Sequence, residues 1–293
     1  MKLIKYFLEF LIVIFFFTIS YILGLKVSSY LFSRIFKKIG PHIRSSKKIE
    51  KNILIAFPKL NQDEIQSIMD QMWSNYGSVF AEYMHLNFLK KNKYNNVEIK
   101  GLAQLDELKN LKRPILFFSA HLANFELLAM YLEKKGFNIS ALYRPLNNPF
   151  LNPIMEYLRK KHICQNQIPK TIPGISKYKY AARELISKIK KRENIALMVD
   201  QKVTQGIRVN FFGKEALTMN LPAQMAIKYN YVLQPLSIKR NMENNFYIKI
   251  ENPINVDSED DEYSITSKIN NKIEEIIIKN PGEWIWTHDR WRI

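Results

Sequence analysis

Cysteine is almost missing from this sequence, and its scarcity excludes several classes of protein. Cys164 is the only cysteine in 293 residues, so the chain cannot build an internal disulfide framework or a thiolate metal cluster. Its five histidines are scattered without the spacing of metal ligands. We therefore expect no metal in the protein and a main domain that works in a reducing, cytosolic environment.

Glycine, proline and acidic residues are also sparse. The 9 Gly and 12 Pro form no linker, repeat or low-complexity tract, which favours a single catalytic domain. Only 27 acidic residues oppose 44 basic ones, which gives a net charge of +17. Compositional drift towards Lys, Ile and Asn explains part of this excess. The remainder predicts a polyanionic partner or an anionic membrane surface.

One apolar stretch near the amino terminus predicts a membrane anchor. Residues 6–25 are interrupted by a single charge, Glu9, and 20 helical residues can cross a bilayer core of about 30 Å. The basic flank is heavier on the carboxyl side, which predicts a cytoplasmic main domain. A cleaved signal peptide is the alternative, but no clear small-x-small cleavage site follows. We predict a transmembrane and juxtamembrane anchor over 1–40 and a single catalytic domain over 41–293.

Beyond the anchor, apolar runs alternate with amphipathic segments. Asn61-Gln62-Asp63-Glu64 predicts a capping box at the start of a long helix. The alternation predicts an α/β fold with a mostly parallel or mixed sheet covered by helices. The predicted strands are 114–119, 138–143, 194–199, 232–239 and 246–250. The predicted helices of this part are 125–134, 150–161, 178–192, 221–229 and 262–279.

A histidine and a glutamate follow the first of these strands. His121 comes two residues after it, and Glu126 five residues later. Open α/β sheets bind ligands at the carboxyl ends of their strands, and an imidazole with a nearby carboxylate can take a proton from an alcohol. Residues five apart on one helix diverge by roughly 140°, so a direct contact requires His121 at or before the helix start. The alternative is a buried structural histidine.

Polar clusters end two further strands. Tyr143-Arg144-Pro145 ends the second, and Asp200-Gln201-Lys202 ends the third. If the three strands run parallel, their polar ends meet at one edge of the sheet. A guanidinium beside an imidazole there suggests an anionic substrate, because Arg binds phosphate or carboxylate through two parallel hydrogen bonds. A surface salt bridge is the alternative for each cluster taken singly.

Taken in order, these residues resemble the late acyltransferases of lipid A biosynthesis, the lauroyl and myristoyl transferase family. The resemblance covers nearly the whole chain. Its motifs are Asn52 to Pro58, Trp73 to Gly77 with Glu82, His121-x4-Glu126, Tyr143 to Pro149 with Arg159, Asp200-Gln201, Val209 to Lys214 with Ala216 and Thr218, and Pro281 to Trp291. The sequence departs from the family's usual pattern at Phe125, where Trp is common, and at Ala123, where Gly is frequent.

The resemblance implies a glycerolipid-acyltransferase-like fold and a bacterial inner-membrane enzyme. Such an enzyme moves a fatty acyl chain from acyl carrier protein to a hydroxyl of a 3-hydroxyacyl chain on a lipid A precursor. His121 would be its general base and Glu126 the other member of a catalytic pair. The expected partners are acyl carrier protein, a phosphorylated glycolipid and the membrane, with no nucleic acid. Acyl-acyl carrier protein is a co-substrate, and no cofactor is expected.

Six further residues are predicted to bind substrate: Asn124, Arg144, Arg159, Asp200, Gln201 and Lys202. Asn124 and the backbone amides beside it are candidate oxyanion donors. Arg144 is the first candidate for a sugar phosphate, ahead of Arg159 and Lys202. Asp200 and Gln201 are expected to shape the site rather than transfer protons. The tryptophans of 284–291 are expected in the core, along a wall of the site or at a membrane-facing edge.

Two other functions stay open at this level. One is an acyltransferase that modifies another glycolipid or a glycerolipid, with acyl-CoA as donor; the closing aromatic segment 284–291 argues for lipid A instead. The other is a catalytically silent membrane protein that binds anionic lipid or nucleic acid through its charge, although the chain shows no recognisable nucleic-acid-binding fold. An intact His121-x4-Glu126 motif argues against a protein without catalytic activity.

Overall fold

The computed structural model describes residues 2–91, 96–170, 179–241 and 243–292. In these ranges the chain forms ten α-helices and nine β-strands. The helices are α1 (Lys2–Ile43), α2 (Ser46–Ala56), α3 (Gln62–Glu82), α4 (Leu86–Lys91), α5 (Leu102–Asn110), α6 (Glu126–Lys134), α7 (Leu151–His162), α8 (Lys179–Lys190), α9 (Leu221–Tyr229) and α10 (Glu262–Lys279). The strands are β1 (Val97–Lys100), β2 (Ile115–Ser119), β3 (Ile139–Tyr143), β4 (Asn166–Pro169), β5 (Asn194–Met198), β6 (Ile207–Phe211), β7 (Lys214–Thr218), β8 (Val232–Arg240) and β9 (Phe246–Ile250).

Seven of the strands form one sheet in the order β1-β9-β8-β2-β5-β3-β4. Neighbouring strands are parallel except for β8 and β9, which are antiparallel. The central strand β2 is buried at every residue, as expected for a parallel strand covered on both faces. The predicted α/β fold with a mostly parallel sheet covered by helices is confirmed. Strands β6 and β7 form a separate antiparallel hairpin.

The predicted elements match the structure best where the apolar pattern is long. All five predicted strands are present, as β2, β3, β5, β8 and β9. The predicted capping box is also present: the Asn61 side chain accepts the Glu64 N–H at 3.0 Å, and the Glu64 carboxylate accepts the Asn61 N–H at 2.8 Å. The helix predicted over 178–192 corresponds to α8; residue 178 lies outside the described residues. Strands β1, β4, β6 and β7 were not predicted, because each is only four or five residues long and carries polar side chains.

Helix α1 has a break at Gly24 and packs on α3. Gly24 adopts φ 74°, a left-handed conformation that glycine reaches without a Cβ penalty. After this break, α1 runs antiparallel along α3. The ring of Phe80 on α3 lies between those of Phe17 and Phe32, at centroid distances of 4.9 and 5.2 Å. The rings of Phe16 and Phe32 also lie 5.7 Å apart, so the chain folds back at Gly24, and the second half of α1 is the juxtamembrane helix expected after the anchor.

The first half of α1 presents apolar side chains outwards. In the described part of the chain, α1 is the one helix that is long and apolar enough to cross a membrane. It is therefore a candidate membrane anchor by length and composition. The expected boundary near residue 40 stays a prediction.

The contact between α1 and α3 depends on Gly77. A Cβ at Gly77 would overlap the backbone carbonyl of Phe32. We expect Gly77→Ala to force the two helices apart and to lower the free energy of unfolding by roughly 1–3 kcal/mol, as overpacking in a core does. Chemical unfolding in detergent measures the change. Ser67→Ala, at an exposed position of the same helix, is the matched control and should change stability little; equal effects of the two variants would contradict the close approach.

Candidate active site

The three polar strand ends meet at one edge of the sheet. Strands β2, β5 and β3 are adjacent and parallel, so their carboxyl ends point the same way. A cleft of about 380 Å³ opens there. It is lined by six of the predicted residues, namely His121, Glu126, Arg144, Arg159, Gln201 and Lys202. The prediction that these ends come together is therefore confirmed.

His121 lies in the loop between β2 and α6, before the helix starts, and its partner is Asp200. The ring Nδ1 lies 2.7 Å from one carboxylate oxygen of Asp200, and the His121 backbone N–H donates to the other at 2.9 Å. Because an ionised carboxylate only accepts, Nδ1 is the donor. In the neutral ring the second nitrogen, Nε2, then carries the lone pair, and the His121 side chain is 19% exposed at the cleft. An imidazole held in this way can accept a proton at Nε2.

Asp200 is fully buried, yet it remains ionised. Burial alone would raise its pKa, but the attraction of His121, two hydrogen bonds from His121 and a third from the Trp284 indole outweigh burial. The Trp284 Nε1–H donates to this carboxylate at 2.7 Å. Together these contacts lower the pKa of Asp200 to about 2. Asp200 thus lies beneath His121, where it orients the ring, and does not line the cleft as a predicted substrate-binding residue would.

Glu126 has other partners than the one expected from the sequence. Its carboxylate oxygen Oε1 accepts hydrogen bonds from the Tyr83 hydroxyl at 2.6 Å and from the Arg159 Nε–H and Nη2–H at 2.8 and 2.7 Å. The expected contact, in which Glu126 orients the ring of His121, is replaced by the contact with Asp200. Glu126 still lines the same cleft as His121. Its catalytic role stays a prediction.

The backbone explains why the two motif residues do not pair. Ala123, midway between them, adopts φ 44°, and α6 begins only at Glu126. The chain therefore turns sharply between the two side chains, which lets His121 reach β5 while Glu126 faces α7. The rings of Phe125 and His121 also pack in a T-shaped contact, with centroids 4.6 Å apart.

Basic side chains surround the cleft beside His121. Arg144 is exposed at the end of β3, and Gln201 and Lys202 follow β5. Two further residues were missed by the sequence reasoning: Lys170, whose pKa is lowered by partial burial and by nearby Arg144, and His288, whose Nε2 accepts the Lys202 backbone N–H at 2.9 Å. Lys170 belongs to no recognisable local pattern, whereas His288 lies within the motif Pro281 to Trp291 without having been singled out as a site residue. The cleft is therefore basic, as the prediction of an anionic substrate requires. Arg159 lines it too, but its guanidinium is bound to Glu126.

Asn124 does not face the cleft. It is buried, and its side-chain amide donates to Glu82 at 2.9 Å. Glu82 in turn forms a buried ion pair with Arg240, and the Asn75 side chain donates to the Ala123 carbonyl at 3.4 Å. These contacts fix the turn that carries His121. The side chain of Asn124 is thus held away from the position of an oxyanion donor; the backbone amides beside it stay candidates.

The tryptophans of the closing segment belong to the core. Trp284 and Trp286 are fully buried and Trp291 nearly so. The Trp284 ring packs edge to face with those of Trp286 and Trp291, and the rings of Trp284 and Trp291 contact Phe211 at tilted angles. Of the alternatives weighed from the sequence, core packing is therefore confirmed. Through its bond to Asp200, Trp284 also links this core to the cleft.

The cleft beside His121 is not the cavity of greatest volume among the described residues. A wider groove of about 780 Å³ lies between α1 and α3, where Arg34, Lys37, Asp63 and Asp70 line it. Those charges are of both signs, and none of the predicted site residues is among them. We take the smaller cleft as the site because a base, its orienting carboxylate and several cations converge there. In the four described ranges, no group of three or more His, Cys, Asp or Glu residues is arranged to hold a metal ion.

A basic cleft with an imidazole oriented by a buried carboxylate is the arrangement of an active site in which a substrate proton can be accepted. Comparison with known proteins gives the family. The sequence matches the family described as bacterial lipid A biosynthesis acyltransferase over residues 1–293, and the chain belongs to that family. It is therefore an acyltransferase of lipid A biosynthesis, as the resemblance implied.

Two curated relatives agree with this assignment. The chain is 22% identical over 248 residues to a lipid A biosynthesis acyltransferase of Haemophilus influenzae, a match that covers 82% of this chain and 73% of that protein. It is 25% identical over 130 residues to lipid A biosynthesis acyltransferase 2 of Shigella flexneri, which covers 42% of this chain and 41% of the relative.

The buried network behind the His121 turn predicts a pH dependence of stability. Glu283 accepts the Arg240 backbone N–H at 2.8 Å, and burial raises the pKa of its carboxyl to about 7. Between its ordinary value near 4.5 and about 7 the folded protein binds the extra proton, so stability falls as pH rises through this window. In Glu283→Gln this fall should be smaller, as chemical unfolding at pH 5 and pH 8 can measure. Parallel profiles for the two proteins would contradict the raised pKa.

Proposed function

We propose that this protein transfers a fatty acyl chain from acyl carrier protein to a hydroxyl of a 3-hydroxyacyl chain on a lipid A precursor, with His121 as general base. The observation that carries the proposal is the 2.7 Å contact between His121 Nδ1 and the buried Asp200 carboxylate. It leaves Nε2 facing a cleft where a hydroxyl can approach.

The reaction follows from that arrangement. The substrate hydroxyl oxygen attacks the thioester carbonyl carbon while its proton moves to Nε2 of His121. Asp200 stabilises the imidazolium that forms, as the buried aspartate of a Ser-His-Asp triad does. The tetrahedral intermediate then collapses, the carbon–sulfur bond breaks, and Nε2 returns the proton to the leaving sulfur. The products are an ester and the free thiol of the carrier, so no covalent enzyme intermediate is needed.

The lining of the cleft supports both substrates. Its wall towards β3 and β5 is apolar, with Ala141, Leu142 and Met198, and offers an acyl chain contacts that water does not. Its rim carries Arg144, Lys170 and Lys202, which suit a phosphorylated glycolipid.

Acyl carrier protein is proposed as the donor because the chain carries a net charge of +17, which favours an acidic protein partner. We also propose that α1 anchors the enzyme at the bacterial inner membrane with the catalytic domain on the cytoplasmic side. Its basic flanking residues and the single buried cysteine support this location.

Membranes that carry the protein test this function directly. They should add one acyl group to a tetra-acylated lipid A precursor when supplied with acyl carrier protein thioesters, as a mass gain in the product reveals. Thioesters of several lengths identify the preferred chain, and acyl-CoA supplied at the same concentration tests the alternative donor. Faster transfer from acyl-CoA, or acylation of a glycerolipid in place of the precursor, would contradict the proposal.

His121→Ala and Asp200→Asn test the base and its orientation. The first removes the proton acceptor, and we expect a loss of at least about 10³-fold in kcat. The second keeps the shape but leaves Nδ1 without its charged acceptor, and we expect about 10²–10⁴-fold. Asp257→Asn, at an exposed position, is the matched control and should leave kcat unchanged. A fully active Asp200→Asn protein would show that the ring needs no such partner.

A double-mutant cycle tests the role of Glu126. Glu126→Gln leaves the buried guanidinium of Arg159 without its counter-charge, and Arg159→Gln does the converse, so each variant alone should lose most of its activity. If Glu126 acts through this pair, the double variant should be no worse than the more damaged single variant. Activity losses that multiply in the double variant would instead give Glu126 a catalytic role independent of Arg159.

A further inference from the structure

The amino-terminal end of α1 is docked on the catalytic domain. The side-chain amide of Asn148 donates to the Tyr6 carbonyl at 2.8 Å. The ring of Phe150 packs against those of Phe7 and Phe10, at centroid distances of 5.5 and 5.9 Å. These contacts come from the loop between β3 and α7, whose first residue, Arg144, lines the cleft. The helix therefore touches the domain beside the mouth of the cleft.

The other end of the same apolar segment is docked as well. Residues 2–23, which we name the anchor segment, end at the break of Gly24. The Ser20 hydroxyl donates to the Ala81 carbonyl at 2.9 Å, and Phe17 packs on Phe80. At 1.5 Å per residue the segment is roughly 33 Å long. Both of its ends thus contact the domain, one at the loop between β3 and α7 and the other at α3.

An apolar surface continues from the anchor segment onto the domain. The outward side chains of the segment are strongly exposed, with Ile4 at 66%, Ile12 at 56% and Ile22 at 75%. Exposed or half-buried apolar and aromatic residues of the loop and of α7 extend this surface. We name them the lipid edge: Leu146, Pro149, Phe150, Pro153 and Tyr157. A gap of about 590 Å³ lies between the first turn of α1 and three of them, Leu146, Pro149 and Pro153.

Two docked ends restrict how the segment can sit in a bilayer. A helix that crossed the membrane would hold its ends at opposite interfaces, about 30 Å apart. The loop that binds Tyr6 and the helix α3 would then lie on opposite sides of the membrane. Both belong to the same domain, and the loop has a polar backbone and the polar side chains of Asn147 and Asn148. Open loops with polar backbone are not tolerated in the hydrocarbon core. Both contacts are satisfied together only if the segment lies along the membrane surface.

We propose that the anchor segment lies in the plane of an anionic bilayer and that the lipid edge is immersed beside it, so that the cleft opens at the membrane. A lipid acceptor then reaches His121 sideways from the bilayer through the gap beside Leu146. Lysines flank the surface at Lys2, Lys5, Lys160 and Lys161, where they meet anionic head groups. This orientation differs from the transmembrane one expected from length alone, and it does not depend on which acyl donor is used.

Depth measurements with spin labels test the orientation. Cysteines at Ile12, Leu146 and Leu102 carry the label in the full chain, reconstituted in vesicles of phosphatidylethanolamine and phosphatidylglycerol. The native Cys164 is buried and burial raises its pKa to about 12, so the parent protein serves as the unlabelled background. We expect the labels at Ile12 and Leu146 to lie about 5–10 Å below the head groups. Leu102, 40% exposed at the start of α5, is the control and should stay in water.

Variants that weaken the contact between α1 and Phe150 distinguish the effect of this docking from a simple loss of apolar surface. Phe7→Ala with Phe10→Ala should move the Leu146 label towards water, whereas Ile12→Ala, which removes exposed apolar surface from the same segment, should not. The proposal is overturned if the Ile12 label lies near the bilayer centre, at roughly 15 Å, or if the Leu146 label is as accessible to water as the Leu102 label. These readouts need no turnover, so they stand apart from any failure of the proposed reaction.

Discussion

The pairing of His121 with Asp200 is the interaction on which the cleft depends. A carboxylate that is removed from water must be compensated, and here three hydrogen bonds compensate it: two from His121 and one from Trp284. The same bonds fix the tautomer and the direction of the imidazole. The Asp200 carboxylate is therefore stabilised by the His121 ring, and the ring is oriented by the carboxylate. A change in either residue disturbs both.

The cleft contains a second carboxylate with a different use. Glu126 is bound by a tyrosine hydroxyl and by two N–H groups of Arg159, so its charge is neutralised within the wall. Burial and the neighbouring Glu126 raise the pKa of Tyr83, which keeps this hydroxyl a donor. Asp200 thus orients His121, while Glu126 binds the guanidinium of Arg159 and the hydroxyl of Tyr83 elsewhere in the cleft wall. The buried Glu82–Arg240 pair supports the turn between them.

Much of this arrangement could be predicted from local sequence. An apolar run ending in His121 and another ending in Arg144 place those residues at strand ends, and parallel pairing brings them together. The partner of His121 could not be found in this way, because Asp200 lies 79 residues further along the chain. Glu126 was nearer in sequence, but the left-handed turn at Ala123 directs it to Arg159. Lys170 joins the cleft through tertiary contacts that no local motif predicts, and His288 does so from the closing motif, whose position relative to β5 the sequence does not show.

The central claim, that Asp200 holds His121 with Nε2 free to accept a proton, can be tested by ¹⁵N NMR of protein labelled at histidine. His121→Gln identifies the His121 signals by their loss. Near neutral pH the unprotonated ring should carry its hydrogen on Nδ1 and a lone pair on Nε2. Asp200→Asn should disturb this tautomer, whereas Glu126→Gln should leave it intact. A hydrogen on Nε2 in the native protein, or a tautomer that responds to Glu126→Gln and not to Asp200→Asn, would contradict the account.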